Sequence, residues 1–322
     1  IHSKFKGMEG LWSKYVKNDL IPRLNGFELL MASYAMAHLK MDMLLKETGY
    51  KSDDEQRFRI FLTNSLEEAH PDSGTLFSSW LSDESTQANK IKKETPVMVV
   101  MGNPPYSGES ANKGKWIMKL MEDYKKEPGG KEKLKEQNSK FINDDYVKFI
   151  RFAQYFINRN ENGIIGFINP HGYLDNPTFR GMRWNLLKEF DKIYTIDLHG
   201  NSKKKETAPD GSVDHNVFDI MQGVSINLFI KTGNKKSAEL GQVFHYDLFK
   251  KKDYKYKFLS SNSIKSINFK NLKIVAPDYF MVQKDFQSKS LYDKGIYIPS
   301  LFPINSLGIQ THRDNLAIST LK

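Results

Sequence analysis

The chain has 322 residues, of which 39% are hydrophobic and 12% aromatic, and it carries a formal net charge of +10. That is room for one large α/β domain and part of a second, with a real core rather than a disordered tail. With no cysteine it has no disulfide and no thiolate metal site.

The first strand expected is Leu24–Leu29, followed by a helix over Met31–Lys46 with Ala35, Leu39 and Met43 at helical spacing. Arg59–Leu62 reads as a second strand that ends at Asn64-Ser65-Leu66. Asp72–Lys93 reads as a polar connection into a strand at Val97–Met101. That strand runs straight into Asn103-Pro104-Pro105-Tyr106. Pro105 lacks an N–H, has a locked φ and forces Pro104 into extended geometry, so the Pro104 carbonyl is aimed. An amide oxygen, a fixed carbonyl and an aromatic face together suit the capture of a planar amine. The plainer reading is a proline-stiffened turn after a core strand.

Ser107–Lys140 is rich in Lys, Glu and Gly and lacks core periodicity outside Trp116–Met121, so a surface loop or mobile lid is expected. Asp144 or Asp145 caps a helix with an apolar face of Val147, Ile150, Ala153 and Ile157. A strand at Gly163–Ile168 ends in Asn169-Pro170-His171-Gly172, where His171 reads equally as a satisfied loop histidine. A helix over Phe179–Phe190 and a strand over Ile193–Leu198 follow, with Arg180 and Arg183 facing either phosphate or carboxylate. Last comes a hairpin-like pair, Val213–Met221 and Val224–Ile230, turning at Gln222-Gly223. The order predicts a doubly wound sheet with an antiparallel hairpin at its edge. From Gly233 the pattern turns β-rich and basic, then loses regularity, placing a domain boundary near 275–300.

The basic runs Lys203–Lys205 and Phe249–Lys257 suit phosphate contacts or a solvated strand face. The eight histidines form no HxxxH or HxH pair, so no metal is expected. No apolar run approaches the ~20 residues of a membrane span and no signal peptide is visible, so a cytoplasmic protein without membrane partners is expected.

In this order, Gly26-Phe27-Glu28, Asn64-Ser65-Leu66, Asn103-Pro104-Pro105-Tyr106 and the hairpin resemble the adenine-N6 DNA methyltransferases of the gamma arrangement, in which target recognition follows catalysis. The wording of residues 20–32, of Asn216-Val217-Phe218-Asp219-Ile220-Met221-Gln222-Gly223-Val224 and of Gly308–Asp314 is similar to the methyltransferase region of Type I single-polypeptide (Type ISP) restriction-modification enzymes. The resemblance implies a Rossmann-like S-adenosylmethionine-dependent sheet over residues 1–275, then a linker and the start of a target-recognition domain over 276–322. It implies double-stranded DNA as partner, with nuclease and helicase modules on the same full-length polypeptide. No glycine-rich cofactor loop occurs, so the chain is expected to be a fragment that starts just after it, truncated at its N-terminal strand.

By the same resemblance, Asn103 and Pro104 accept hydrogen bonds from the N6 amine of a flipped adenine. Pro105 aims the carbonyl, and Tyr106 stacks on the base. Localising the amine lone pair lets nitrogen attack a sulfonium methyl, a chemistry that obliges neither a general base nor a metal. Glu28 is the candidate for the cofactor's ribose, Asn64 for its adenine and Phe218 for packing against the target base; each also has an ordinary structural reading. Two alternatives stand beside this: a protein glutamine-N5 methyltransferase, and a non-catalytic DNA-binding scaffold.

Overall fold

The structure, a computed structural model, describes residues 1–51, 57–68, 79–108, 110–136, 139–236, 238–296, 298–302 and 304. It divides into a unit of Ile1–Val282 and a second of Gln283–Lys322. Gly308–Asp314 lies outside the described residues.

In the larger unit, α1 (Glu9–Tyr15) passes through a wide turn at Val16–Leu20 into α2 (Ile21–Arg23). Trp12, Val16 and Ile21 then pack with Leu45 and Tyr50. Leu45 belongs to α3 (Met31–Glu47), which follows β1 (Gly26–Glu28). The helix forms as expected, but the spaced residues Ala35, Leu39 and Met43 are exposed, and it is Tyr34 and Leu45 that are buried. β1 pairs in parallel with β2 (Ile60–Leu62) to make a two-stranded sheet.

The expected polar connection contains a helix, α4 (Ser79–Glu94). Its inner face is Glu84, Ala88, Ile91 and Lys92, all buried at helical spacing. Two of the four positions are charged, and that hid the period. Glu84 takes a Leu62 N–H and pairs with Arg57. Lys92 gives its three protons to Thr63, Asn64 and Glu67 oxygens. These bonds satisfy the buried charges.

A second sheet has six strands in the order β3-β4-β6-β5-β7-β8. The strands are β3 (Val99–Gly102), β4 (Gly163–Pro170), β5 (Lys192–Asp197), β6 (Val224–Lys231), β7 (Gln242–Asp247) and β8 (Lys270–Leu272). The expected hairpin edge is corrected here. Val213–Met221 is not a strand, and β6 runs antiparallel between β4 and β5 inside the sheet. The loop is instead organised by side chains, with Asn216 Nδ2 donating to the Gly200 and Gln222 carbonyls, and its backbone makes an isolated antiparallel bridge from Val213 to Thr207. The antiparallel edge is made by β7 and β8.

One face of this sheet meets α5 (Lys115–Met121), α6 (Asp145–Asn158) and α7 (Arg180–Glu189) around Ile165, Phe167, Ile193 and Phe229. The other carries Ile196, Leu198, Val217, Val224 and Leu248, with Phe258 of α8 (Lys252–Ser261) against them. β3 is an edge strand, with Val99 59% and Met101 77% exposed. Among its described residues the smaller unit has two short helices, α9 (Lys289–Tyr292) and α10 (Ile298–Leu301).

The expected lid is also corrected, because the segment is built into the core. Ile117, Met121 and Tyr124 are fully buried. Arg180 pairs with both Glu127 and Glu136, drawing Glu127 below the usual carboxylate range. Gly181 lets the two parts approach: a Cβ there would lie 2.3 Å from the Lys126 carbonyl oxygen and 2.7 Å from that of Tyr124. Gly181→Ala should therefore cost about 1–3 kcal/mol by overpacking, read as a lower urea midpoint with unchanged slope. A midpoint equal to the parent's would show that the segment is not docked there.

Candidate active site

Asn103 follows the last residue of β3, at the end where β4 also finishes its parallel run. Asn103 is exposed and Pro104 buried. The Tyr106 hydroxyl lies 2.5 Å from Asn103 Oδ1 and 3.2 Å from the carbonyl of Ile168 in β4. Burial pushes the Tyr106 phenol up to about 12, so at neutral pH it remains a donor. An amide oxygen has two lone pairs. Bonding to Tyr106 uses one, fixes the amide and leaves the second. The Tyr106 ring is partly buried against the Ile196–Val224 cluster, and Phe218 packs on that same cluster. Asn216 Oδ1 accepts the Phe218 N–H at 2.9 Å and so orients the Phe218 loop.

The loop after Tyr106 rests on a polar network that the sequence did not reveal. Asp144 stands at the N-cap of α6 as expected, but its side chain makes no cap bond there and accepts the Ser107 and Gly108 N–H groups at 3.3 and 3.1 Å. Burial raises its carboxyl, and those N–H groups oppose the shift. Asp145 accepts from Ser110 and from Asn112 Nδ2. Lys148, only 1% exposed, reaches Ser110 Oγ at 2.7 Å and the Asn112 carbonyl. Burial lowers its ammonium, and the charge of Asp145 opposes that. A signal was present, since a lysine three residues after an aspartate on an apolar helix face needs a partner.

Glu28 and Asn64 stand side by side at the ends of β1 and β2, where Thr63 N–H donates to the Glu28 carbonyl at 2.8 Å. Glu28 Oε1 accepts the Leu29 and Leu30 N–H groups at 2.9 and 3.0 Å, which leaves Oε2. Asn64 has both amide protons committed, to Glu67 at 3.1 Å and Asn112 at 3.2 Å, and its Oδ1 accepts from Leu66 N–H. Through Asn112 it joins the network beneath the Asn103 loop.

Other sequence candidates fall elsewhere. Arg180 holds carboxylates. Arg183, fully buried and lowered to about 10 by that burial, bonds the Tyr173, Asn176 and Asp278 carbonyls, so neither arginine faces a phosphate. The Phe249–Lys257 run enters α8, and Lys255 is buried on Asp214 at 2.8 Å. Lys203–Lys205 is an exposed turn. A cavity of about 190 Å³ lies among Glu67, Lys92, Trp116, Tyr155 and Arg159, none of them in the Asn103 loop.

The sequence matches the Eco57I restriction-modification methylase family over residues 26–203, more than half of its length and including β1, the Asn103 loop and His171. The chain belongs to that family. No curated protein matches it. Among solved structures, this methylase chain is similar to the ATP-dependent Type ISP restriction-modification enzyme LlaBIII bound to DNA (24% identity, TM-score 0.68, 83% of this chain and 18% of that one). It is also similar to a nuclease-deletion mutant of the Type ISP enzyme LlaGI with a DNA substrate mimic (20%, 0.70, 88% and 24%). A third is DrdV in its DNA complex (25%, 0.62, 79% and 24%). The LlaBIII and LlaGI likenesses are ones of fold. The methylase chain spans about a quarter or less of the length of these enzymes. Among the described residues no helix is long and apolar enough to cross a membrane.

The network makes a specific demand. Asp145→Ala and Lys148→Ala should each destabilise, and the double variant should cost less than their sum by about 1–2 kcal/mol. Additivity within about 0.3 kcal/mol in a denaturation cycle would mean that the two charges act separately.

Proposed function

We propose that this chain is the catalytic part of a DNA methyltransferase that moves a methyl group from S-adenosylmethionine to the N6 amine of an adenine flipped out of double-stranded DNA. The observation that carries the reading is the Asn103–Tyr106 geometry. One lone pair of Asn103 Oδ1 is held by the Tyr106 hydroxyl and the other is left for an incoming N–H, on an exposed residue at a strand end. Two N–H bonds, to Asn103 Oδ1 and the Pro104 carbonyl, would pull the amine lone pair out of the ring and onto nitrogen. Acceptors already aimed at developing positive charge are worth a few kcal/mol, about 10²–10³ in rate. Pro105 keeps the Pro104 carbonyl from turning away. The Tyr106 ring would stack on the extruded base and Phe218 would border it, offsetting part of the unstacking cost.

When bound, the cofactor supplies an electrophilic methyl group. The residues fit it in part. Glu28 Oε2 is left for ribose hydroxyls, and Asn64, with both protons committed, has only the second lone pair of Oδ1 for an adenine amine. Among the described residues the edges of β3 and of the β1–β2 pair carry no further strand, and with Leu29, Leu30, Val99 and Met101 exposed they support one further reading. A strand from a longer polypeptide completes a Rossmann-like sheet between them. In that polypeptide residues 1–275 are the catalytic domain and 276–322 lead into target recognition. Nuclease and helicase modules share the chain, which works in the cytoplasm.

Asn103→Ala in the full-length polypeptide should cut transfer of labelled methyl to duplex DNA at least a hundredfold while DNA affinity stays within about threefold of the parent. Methylation at a tenth or more of the parent rate would refute the role of Asn103. Calorimetric titration with S-adenosylmethionine should register binding to the longer polypeptide and none to residues 1–322 alone. No binding by either would leave a DNA-binding scaffold.

A further inference from the structure

At the ends of β4 and β5 the fold gathers His171, His199 and Glu206, with one ligating atom of each within 4.8 Å of the others. The geometry points to a binding site for one divalent transition-metal ion of the zinc class, held by these three side chains and serving to fix a basic turn. It stands apart from the methyl-transfer reading, because it uses none of the residues assigned to that reaction.

The donor set comes first. Two imidazoles and one carboxylate suit zinc-like ions rather than magnesium or calcium, which favour oxygen alone. Each imidazole is also oriented from behind. His171 Nδ1 is 2.9 Å from Asp197 Oδ1, and His199 Nε2 is 2.9 Å from Asp247 Oδ1. Asp197 takes the His199 N–H and Asp247 takes His245 Nε2, so the orienting carboxylates are themselves held. A carboxylate on the far nitrogen is the usual support of a metal-bound histidine, because it fixes the ring and strengthens the ligand.

The inward atoms are poorly satisfied by one another. His171 Nε2 has the Asn201 amide at 3.5 Å, the outer limit of a hydrogen bond. His199 Nδ1 is 3.8 Å from Glu206 and 3.9 Å from Asp197. Tetrahedral ligands at ~2.1 Å from an ion lie roughly 3.4 Å apart. Inward shifts of under about 1 Å would therefore close the site on an ion. The side chains are only 8%, 12% and 20% exposed, which limits competition from water. The backbone is shaped around the rings as well. A Cβ on Gly223 would lie 2.4 Å from the His171 ring, and one on Gly200 would lie 2.4 Å from Asn216 Cα.

Glu206 directly follows Lys203–Lys205, and its carboxylate already accepts the Asn201 N–H at 2.9 Å. An ion joining Glu206 to the strand ends would clamp both sides of that exposed lysine turn. Binding breaks the Nδ1–H bond of a protonated His199, the proton passes to solvent, and the freed lone pair forms the bond to the ion.

The test uses the complete polypeptide that carries these residues, stripped by chelation and titrated with Zn²⁺ alone and separately with Co²⁺. The parent should bind one more zinc equivalent than Glu206→Gln or His171→Ala, and that equivalent should give visible ligand-field bands with cobalt. Asp247→Asn should keep the site but weaken it about tenfold. Thermal midpoints of the stripped variants, compared with the stripped parent, separate lost ligands from lost folding. The inference is overturned if the parent takes up no such equivalent, or if Glu206→Gln, the variant that keeps shape, binds zinc as the parent does.

Discussion

The placement of β6 is the constraint on which the site depends. It lies antiparallel between two strands that run the other way, so every residue from Val224 to Lys231 is bonded on one or both sides. A slip of one residue would turn Phe229 out of the core and bury the wrong face. A polar ladder prevents it. Asn227 Nδ2 donates to Asn169 Oδ1 at 3.1 Å on one side, and Asn227 Oδ1 accepts from Thr195 at 3.0 Å on the other. All three side chains are fully buried, so any other register would strand polar groups without partners. The same strand brings the ends of β4 and β5 within reach of one another, and there the Tyr106 partner Ile168 and the Asp197–His171 pair are found.

Around this frame the chain spends charge to order its loops. Lys92, Lys148, Arg183 and Lys255 are buried cations, and each bonds main-chain carbonyls of a loop or element end. A buried cation tied to carbonyls is costly to misplace, because every alternative position leaves it unpaired. The loops so fixed are those after β2, after Asn103, after β4 and after β5. A basic composition thus serves internal order as well as any outside polyanion.

Much of the fold was legible. β1, β2, β3, β4, β5 and the helices α6 and α7 follow from apolar patterning, within the few residues by which boundaries shift. α3 forms where expected but buries Tyr34 and Leu45 rather than Ala35, Leu39 and Met43. α4 was not, because Glu84 and Lys92 occupy its inner face and imitate a surface pattern. The hairpin failed for a related reason. Val224–Ile230 alternates as an edge strand would, yet its polar side faces Asn169 and Thr195 rather than solvent. The segment after Tyr106 looked loop-like because its anchors, Glu127 and Glu136, are charged residues whose partner lies more than forty positions away.

By itself the sequence determined the local pieces of the candidate site: a strand ending in Asn103-Pro104-Pro105-Tyr106, with proline geometry that needs no distant partner, and the family to which that pattern belongs. Only the tertiary structure decided which lone pairs are spent, since Tyr106 on Asn103, Leu30 on Glu28 and Asn112 on Asn64 are matters of packing. It alone also gathered His171, His199 and Glu206, whose spacing along the chain carries no ligand signature. The physical reason is range. Proline stereochemistry and strand alternation act between neighbours in sequence, whereas hydrogen-bond saturation and side-chain convergence depend on strand order, which no local pattern encodes.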